Sequence, residues 1–155
     1  GLFMENNIQE IKWENRFNTG YKRVDDQHKE LVNILNKLNL LVMSKDISRE
    51  DVSEELSNII KDMVDYVAYH FSTEEAIMKA IDYSGFKSHV VKHRNFTNKV
   101  LEEVNNYKNG KQIDIKGLIV FLRDWLFNHI VVEDKVFINE VKSTLEKMAR
   151  EEYNR

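Results

Sequence analysis

Proline is absent from all 155 residues of this chain, and glycine occurs only five times. With so few breakers, long helices are expected wherever apolar residues recur at three- and four-residue spacing. Four such segments can be read. The first runs from about Asp25 to Ser44, with Asp25 as its N-cap, and carries the stripe His28, Leu31/Val32, Leu35, Leu38, Val42. The second runs from about Arg49 to Ala80, capped by Ser48 with Asp51 in the first turn. Its stripe is Val52, Leu56, Ile59, Met63, Tyr66/Val67, His70, Glu74, Ile77. The third lies between Gly85 and Gly110, where Asn109-Gly110 forms the stop, and its stripe is Phe86, His89, His93, Phe96, Val100, Val104, Tyr107. The fourth begins after Asp114 and carries Leu118, Leu122, Trp125, His129, Val132 and Val136.

The connections around Lys45-Asp46-Ile47, Ser84-Gly85 and Gly110-Lys111 are short, which makes successive helices antiparallel neighbours. The expected fold is therefore all-α, an up-down-up-down antiparallel four-helix bundle. The opening segment, Ile8 to Val24, lacks helical periodicity and carries Trp13, Phe17 and Tyr21. It is expected to lie over the bundle as an extended N-terminal arm. From Val136 to Arg155 the chain stays helix-prone, so it should continue or bend off as a short C-terminal helix. One domain over 4–155 accounts for the whole pattern; Gly1-Leu2-Phe3 ahead of Met4 reads as the remnant of a cleaved tag.

Composition narrows the chemistry. A net charge of −3 and a pI near 6.0 leave no basic footprint for nucleic acid. No apolar run approaches the ~20 residues that a membrane helix requires. The absence of cysteine removes disulfides, thiolate ligands and iron–sulfur clusters together, and is consistent with a reducing cytoplasm. The expectation is a soluble, self-contained domain.

All five histidines, His28, His70, His89, His93 and His129, fall on the apolar stripes. A single histidine there is usually a satisfied core residue. If an apolar face takes three positions in seven, five independent histidines would all land on it only about 1–2% of the time. Two acids accompany them: Glu74 on the stripe of His70, and Asp134 five residues after His129. Acids are almost never buried unless paired or metal-bound, and the stripe of Glu74 offers it no lysine or arginine.

Spacing supplies geometry. His70 and Glu74, like His89 and His93, stand at i and i+4 and project from one helical face. His129 and Asp134 stand at i and i+5, about 140° apart on an ideal helix. They can converge only where the helix widens, so a π-type turn is expected there. Imidazole with carboxylate suits iron, zinc, copper or nickel, and a structural zinc site closes with four ligands. Two ions sharing the two carboxylates and a bridging hydroxide would leave a pair of octahedra one donor short, and that open position is where a small ligand binds.

These motifs resemble those of the hemerythrins, in particular the single-domain bacterial ones. The resemblance is carried by Trp13, Thr19-Gly20, Val24-Asp25-Asp26-Gln27-His28, His70-Phe71-Ser72-Thr73-Glu74, His89-Val90-Val91-Lys92-His93 and Trp125-Leu126-Phe127-Asn128-His129 through Asp134. It implies two non-haem iron ions, one held by His89, His93 and His129 and the other by His28 and His70. Glu74 and Asp134 would bridge them, together with an oxo or hydroxo group. It implies dioxygen as the ligand of the two-histidine iron, in a pocket lined by Leu126 and walled by Trp125 and Phe71. The implied role is reversible oxygen binding for storage, transport or delivery by a monomer that is not an enzyme, served by a redox or oxygen-consuming protein partner. The same centre could instead sense oxygen or redox state, or act on peroxide, nitric oxide or ferrous iron. A purely structural zinc bundle is the third alternative.

Overall fold

The computed structural model describes residues 10–44, 50–111 and 114–154, with side chains for all of these except 44 and 50–53. The expected cap at Ser48, the start at Arg49, the side chains of Asp51 and Val52, the connection at 45–47 and the segment before Glu10 lie outside the described residues.

Four helices carry the stripes: α1 (Lys22–Ser44), α2 (Glu50–Ile81), α3 (Phe86–Lys108) and α4 (Ile115–Asn128). No strand occurs among the described residues. His28 near the start of α1, His70 near the end of α2, His89 near the start of α3 and His129 just past α4 meet at one level. Early positions thus face late ones in turn, which is the up-down-up-down arrangement expected. At the opposite end, Leu41, Leu56, Val100 and Leu118 join one apolar cluster. Among the described side chains, the stripes of α1 to α3 are buried or half-buried as read.

Helix α4 does not stop at Asn128. It passes through a π-helical turn, His129–Glu133, directly into α5 (Asp134–Tyr153). The C-terminal segment therefore continues the fourth helix for 20 residues, the first of the two courses expected of it. The π turn also corrects the stripe of the fourth helix. An inserted residue advances the buried register by one position. Val132 and Val136 consequently face solvent, while Asp134, Phe137, Ile138 and Val141 are buried.

The start of α1 differs as well. The helix begins at Lys22, so Asp25 lies within its first turn instead of capping it. From there its carboxylate reaches back over the arm: the Thr19 N–H and hydroxyl donate to Oδ1 (2.8 Å each) and the Gly20 N–H to Oδ2 (3.1 Å). Gly20 has φ +87°, and a Cβ there would meet the Lys142 ammonium at 2.5 Å. Any larger residue would be strained at this φ and would have to displace the lysine tip. The same ammonium donates to the Thr19 carbonyl at 2.6 Å. Farther out, the Ile11 N–H donates to Asn36 Oδ1 and Asn36 Nδ2 donates to the Ile11 carbonyl, each 2.9 Å. The arm is thus pinned along α1, with a single 3-10 turn (Asn15–Phe17) that buries Phe17 against Trp13 and Phe127.

Helix ends follow local chemistry. Asp114 caps α4 by accepting from the Gly117 N–H at 2.9 Å. Helix α3 closes at Asn109-Gly110 as expected: Gly110 takes φ +76°, its N–H donates to Tyr107 and that of Lys111 to Asn106. Helix α2 ends on the same paired bonds, Asp82 to Lys79 and Tyr83 to Met78, but with Asp82 at φ +55° where glycine is usual. Two apolar clusters flank the histidine level, one running from Leu31 to Leu126 and the other formed by Val24, Met78, Phe137, Ile138 and Val141.

Candidate metal centre

All seven expected ligands meet in the space between those clusters. His28, His70, Glu74 and Asp134 are fully excluded from solvent, and His89, His93 and His129 are at most 4% exposed. Four helical segments contribute. The i,i+4 pairs of α2 and α3 project inward one turn apart. The pair from the last helix converges because the Asp134 N–H donates to the His129 carbonyl, an i→i−5 bond that replaces the usual ladder.

Every histidine offers Nε2 to the carboxylates, and the carboxylates divide the histidines into two sets. Glu74 Oε1 lies 3.0 Å from His129, 3.3 Å from His93 and 3.6 Å from His89. Asp134 Oδ1 faces the same side, 3.1 Å from His129 and 3.3 Å from His89. The second oxygens face the other way: Glu74 Oε2 is 3.5 Å from His70, and Asp134 Oδ2 is 2.5 Å from His28 and 3.3 Å from His70. Donor atoms within 4.8 Å of one another form two groups, Glu74–His89–His93–His129 and His28–His70–Glu74–Asp134.

Four of these inward atoms, Glu74 Oε2, His89 Nε2, His93 Nε2 and Asp134 Oδ1, are buried without a hydrogen-bond partner. Such groups are costly to bury unsatisfied, and cations at the centre would satisfy all of them. The donor set, oxygen and imidazole nitrogen without sulfur, fits iron or another first-row divalent metal.

Electrostatics express the same demand for positive charge. Burial alone would push His129 down, yet the carboxylates of Asp134 and Glu74 outweigh it and hold the imidazole up at about 10. Burial and mutual repulsion push Glu74 up, but His70 and His129 prevail and bring it down to about 2. Asp134 is likewise held well below the usual range, burial being overcome by His129, Glu74 and His28. His28 and His93 are lowered, chiefly by burial.

Surrounding groups orient the rings. Phe71 lies flat on His93, with centroids 3.7 Å apart and planes 4° from parallel. Trp125 stacks on His129 at 5.0 Å, and Leu126 is fully buried in the adjoining cluster. Three polar residues have a role that the sequence did not assign, although Gln27 and Thr73 lie within its motifs. Gln27 Oε1 lies 2.7 Å from His70 Nδ1, Thr73 accepts from Gln27 Nε2 at 3.1 Å, and Glu75 Oε2 lies 2.9 Å from His93 Nδ1. Gln27 and Glu75 adjoin ligands in sequence, which is the only signal they carry there. Glu75 meets a histidine 18 positions away on another helix, and no helical period predicts that contact.

Comparison with known proteins agrees with this geometry. The family model of the hemerythrin HHE cation-binding domain matches residues 19–141. The chain is 32% identical over 141 residues to a bacteriohemerythrin of Stenotrophomonas maltophilia (strain R551-3), covering 91% of this chain and 88% of that one. It is 28% identical over 143 residues, with the same coverage, to a bacteriohemerythrin of Pseudomonas aeruginosa (strain LESB58). A crystal structure of a wild-type hemerythrin matches the fold with a TM-score of 0.73 at 28% identity, over 83% of this chain and 95% of that one.

Proposed function

This chain belongs to the hemerythrin family, and we propose that it binds dioxygen reversibly at two non-haem iron ions, for storage, transport or delivery of oxygen. The observation that carries this reading is the division of both buried carboxylates between two histidine sets.

On this reading His89, His93 and His129 hold one ion, and His28 and His70 hold the other. Glu74 and Asp134 would each offer one oxygen to either ion, and an oxo or hydroxo group would complete the donor set. The irons would supply two electrons and one open coordination position to a diatomic ligand. The chain supplies the surroundings. Two carboxylates between the ions offset the repulsion of neighbouring cations in a low-dielectric interior. Phe71, Trp125 and Leu126 wall the centre with apolar surface, which excludes water and keeps bound oxygen from being lost to side reactions.

We read the protein as a carrier and not an enzyme. With all five histidines as ligands, none is left for acid–base work. The donor set is also richer in neutral imidazole than the Glu and Glu-x-x-His sets of ferritin-like di-iron proteins, and so stabilises high-valent iron less. The reading brings with it a cytoplasmic monomer and a redox or oxygen-consuming protein partner.

The test is a visible spectrum of iron-loaded protein, reduced under argon, exposed to air and purged again. A charge-transfer band that appears with air and fades on purging is expected. Immediate conversion to a stable oxidised spectrum would overturn reversible binding and favour sensing or redox catalysis. Zinc as the only metal retained from iron-rich medium would overturn the iron assignment.

A further inference from the structure

Two of the ligand rings are held from behind by side chains of different charge. His93 points Nε2 at Glu74 Oε1 (3.3 Å) and Nδ1 at the Glu75 carboxylate (2.9 Å). His70 points Nε2 at Glu74 Oε2 (3.5 Å) and Asp134 Oδ2 (3.3 Å), and Nδ1 at the Gln27 amide oxygen (2.7 Å). His28 Nδ1 and His129 Nδ1 are buried with no hydrogen-bond partner among the described residues.

Hydrogen accounting settles the direction of both contacts. A carboxylate can only accept, so His93 Nδ1 carries the hydrogen and donates to Glu75. The Thr73 hydroxyl donates to the Tyr69 carbonyl at 3.0 Å, which leaves its oxygen to accept from Gln27 Nε2 at 3.1 Å. The amide oxygen of Gln27 is thereby turned toward His70, whose Nδ1 must also donate. Both rings keep the Nε2 lone pair directed at the centre.

We propose that Glu75 makes the two metal positions electrically unequal. Through His93 it sets a full negative charge behind the three-histidine ion, whereas Gln27 sets a neutral amide behind the two-histidine ion through His70. The proposal rests on the assignment of ions to ligand sets made above. A carboxylate behind a ligating imidazole increases the basicity of the donor nitrogen and draws the ring toward imidazolate character. The three-histidine ion is then held more tightly and gives up an electron more readily than its neighbour. Glu75 acts as a positioning and tuning residue: it touches the ligand and not the ion. One step along α2 from Glu74 turns its side chain by about 100°, out of the cluster and toward α3. Its carboxylate remains 30% exposed, so water screens the charge in part without removing it.

The charge can be separated from the hydrogen bond by E75Q, which retains an acceptor of the same size, and by the reciprocal variant Q27E. Metal-free protein is titrated with Co(II), following the ligand-field spectrum, and iron-loaded protein is titrated for its midpoint potentials. E75Q is expected to weaken Co(II) at the three-histidine position by about 10–100-fold while the other position stays within about twofold. The matching midpoint potential should move upward. Q27E is expected to tighten the two-histidine position and lower its potential. The histidine 15N shifts of metal-free wild type should show His93 protonated at Nδ1, a readout that requires neither variant to fold.

Unchanged affinities and potentials in E75Q, equal weakening of both positions, or a His93 protonated at Nε2 would each overturn the proposal. Wild type that binds one Co(II) per chain would overturn the two-ion assignment, and with it the inequality. Two ions bound with identical preference in wild type and E75Q would overturn the role of Glu75 alone.

Discussion

The ring of Phe71 covers the face of His93 at 3.7 Å and 4° from parallel, and the same phenyl edge approaches His129 at 5.5 Å. One apolar side chain thus fixes one ligand of the three-histidine set in rotation and shields a second. Because Phe71 directly follows His70 on α2, the helix that supplies a histidine to one set also supplies a covering ring to the other.

Replacing Phe71 by alanine should remove that cover. The cavity is expected to cost about 3–5 kcal/mol, measured by denaturant unfolding of the metal-free protein. In the iron-loaded form the oxygen-dependent band should decay several-fold faster. Full stability with unchanged decay would show that neighbouring side chains close over the site unaided.

Leu126 is fully buried one turn before His129. Leu126→Ala is expected to cost about 2–5 kcal/mol and to speed autoxidation by admitting water beside the centre. Autoxidation at the wild-type rate would reduce Leu126 to a packing residue.

Glu74→Gln keeps the shape of the side chain but halves the carboxylate charge at the centre. Iron analysis after gel filtration should then find fewer ions per chain than in wild type. Metal-free Glu74→Gln should also unfold more easily, because protonated His129 loses one of the two carboxylates that face it at about 3 Å. Wild-type iron content would contradict a bridging place for Glu74.

Metal uptake should release protons. The folded pKa of His129, about 10, lies above its unfolded value near 6.5. Its contribution to metal-free stability is therefore fully present below pH 6.5 and is lost as pH rises through 10. Glu74, brought down to about 2, contributes above its unfolded value and loses this as pH falls through 2. His28 and His93, both lowered, oppose the fold once pH drops below 6.5. Metal-free stability should peak near neutrality, and a cation binding at pH 7.5 must displace the proton on His129. Calorimetric titration in buffers of different ionisation enthalpy should register about one proton or more per chain. Heat independent of buffer would show that His129 is neutral beforehand.

Asp82 ends α2 at φ +55°, a conformation that glycine adopts without strain. Asp82→Gly is expected to stabilise the protein by about 1 kcal/mol and raise Tm by about 2–4 °C, with iron content unaltered. A lower Tm would mean that the aspartate side chain, and not the backbone, sets the stability of this turn.

Much of the molecule is legible in the sequence. Helices show in a 3.6-residue period that depends on local spacing alone, and alternating directions follow from connections too short to cross the bundle. His70–Glu74 and His89–His93 are i,i+4 pairs whose geometry any helix guarantees. Even the π turn could be inferred, because a five-residue interval between His129 and Asp134 converges on no ordinary helix. The outward turn of Val132 and Val136 is the downstream effect of that same inserted residue, and tracking the register past the turn would have recovered it.

The sequence by itself determined that five histidines and Glu74 share the four stripes, and that Asp134 joins them only through a widened turn, since helical periodicity is a property of neighbours along the chain. Tertiary structure alone decided how the individual carboxylate oxygens divide among the histidines. Which oxygen of Glu74 or Asp134 faces which histidines depends on the packing of α1, α2, α3 and the π turn with the start of α5 against one another. So do the contacts of Glu75 with His93 and Gln27 with His70. These groups lie far apart in the chain or leave their helices at angles no period encodes, and their chemistry is set by charge and hydrogen bonding across a buried interface.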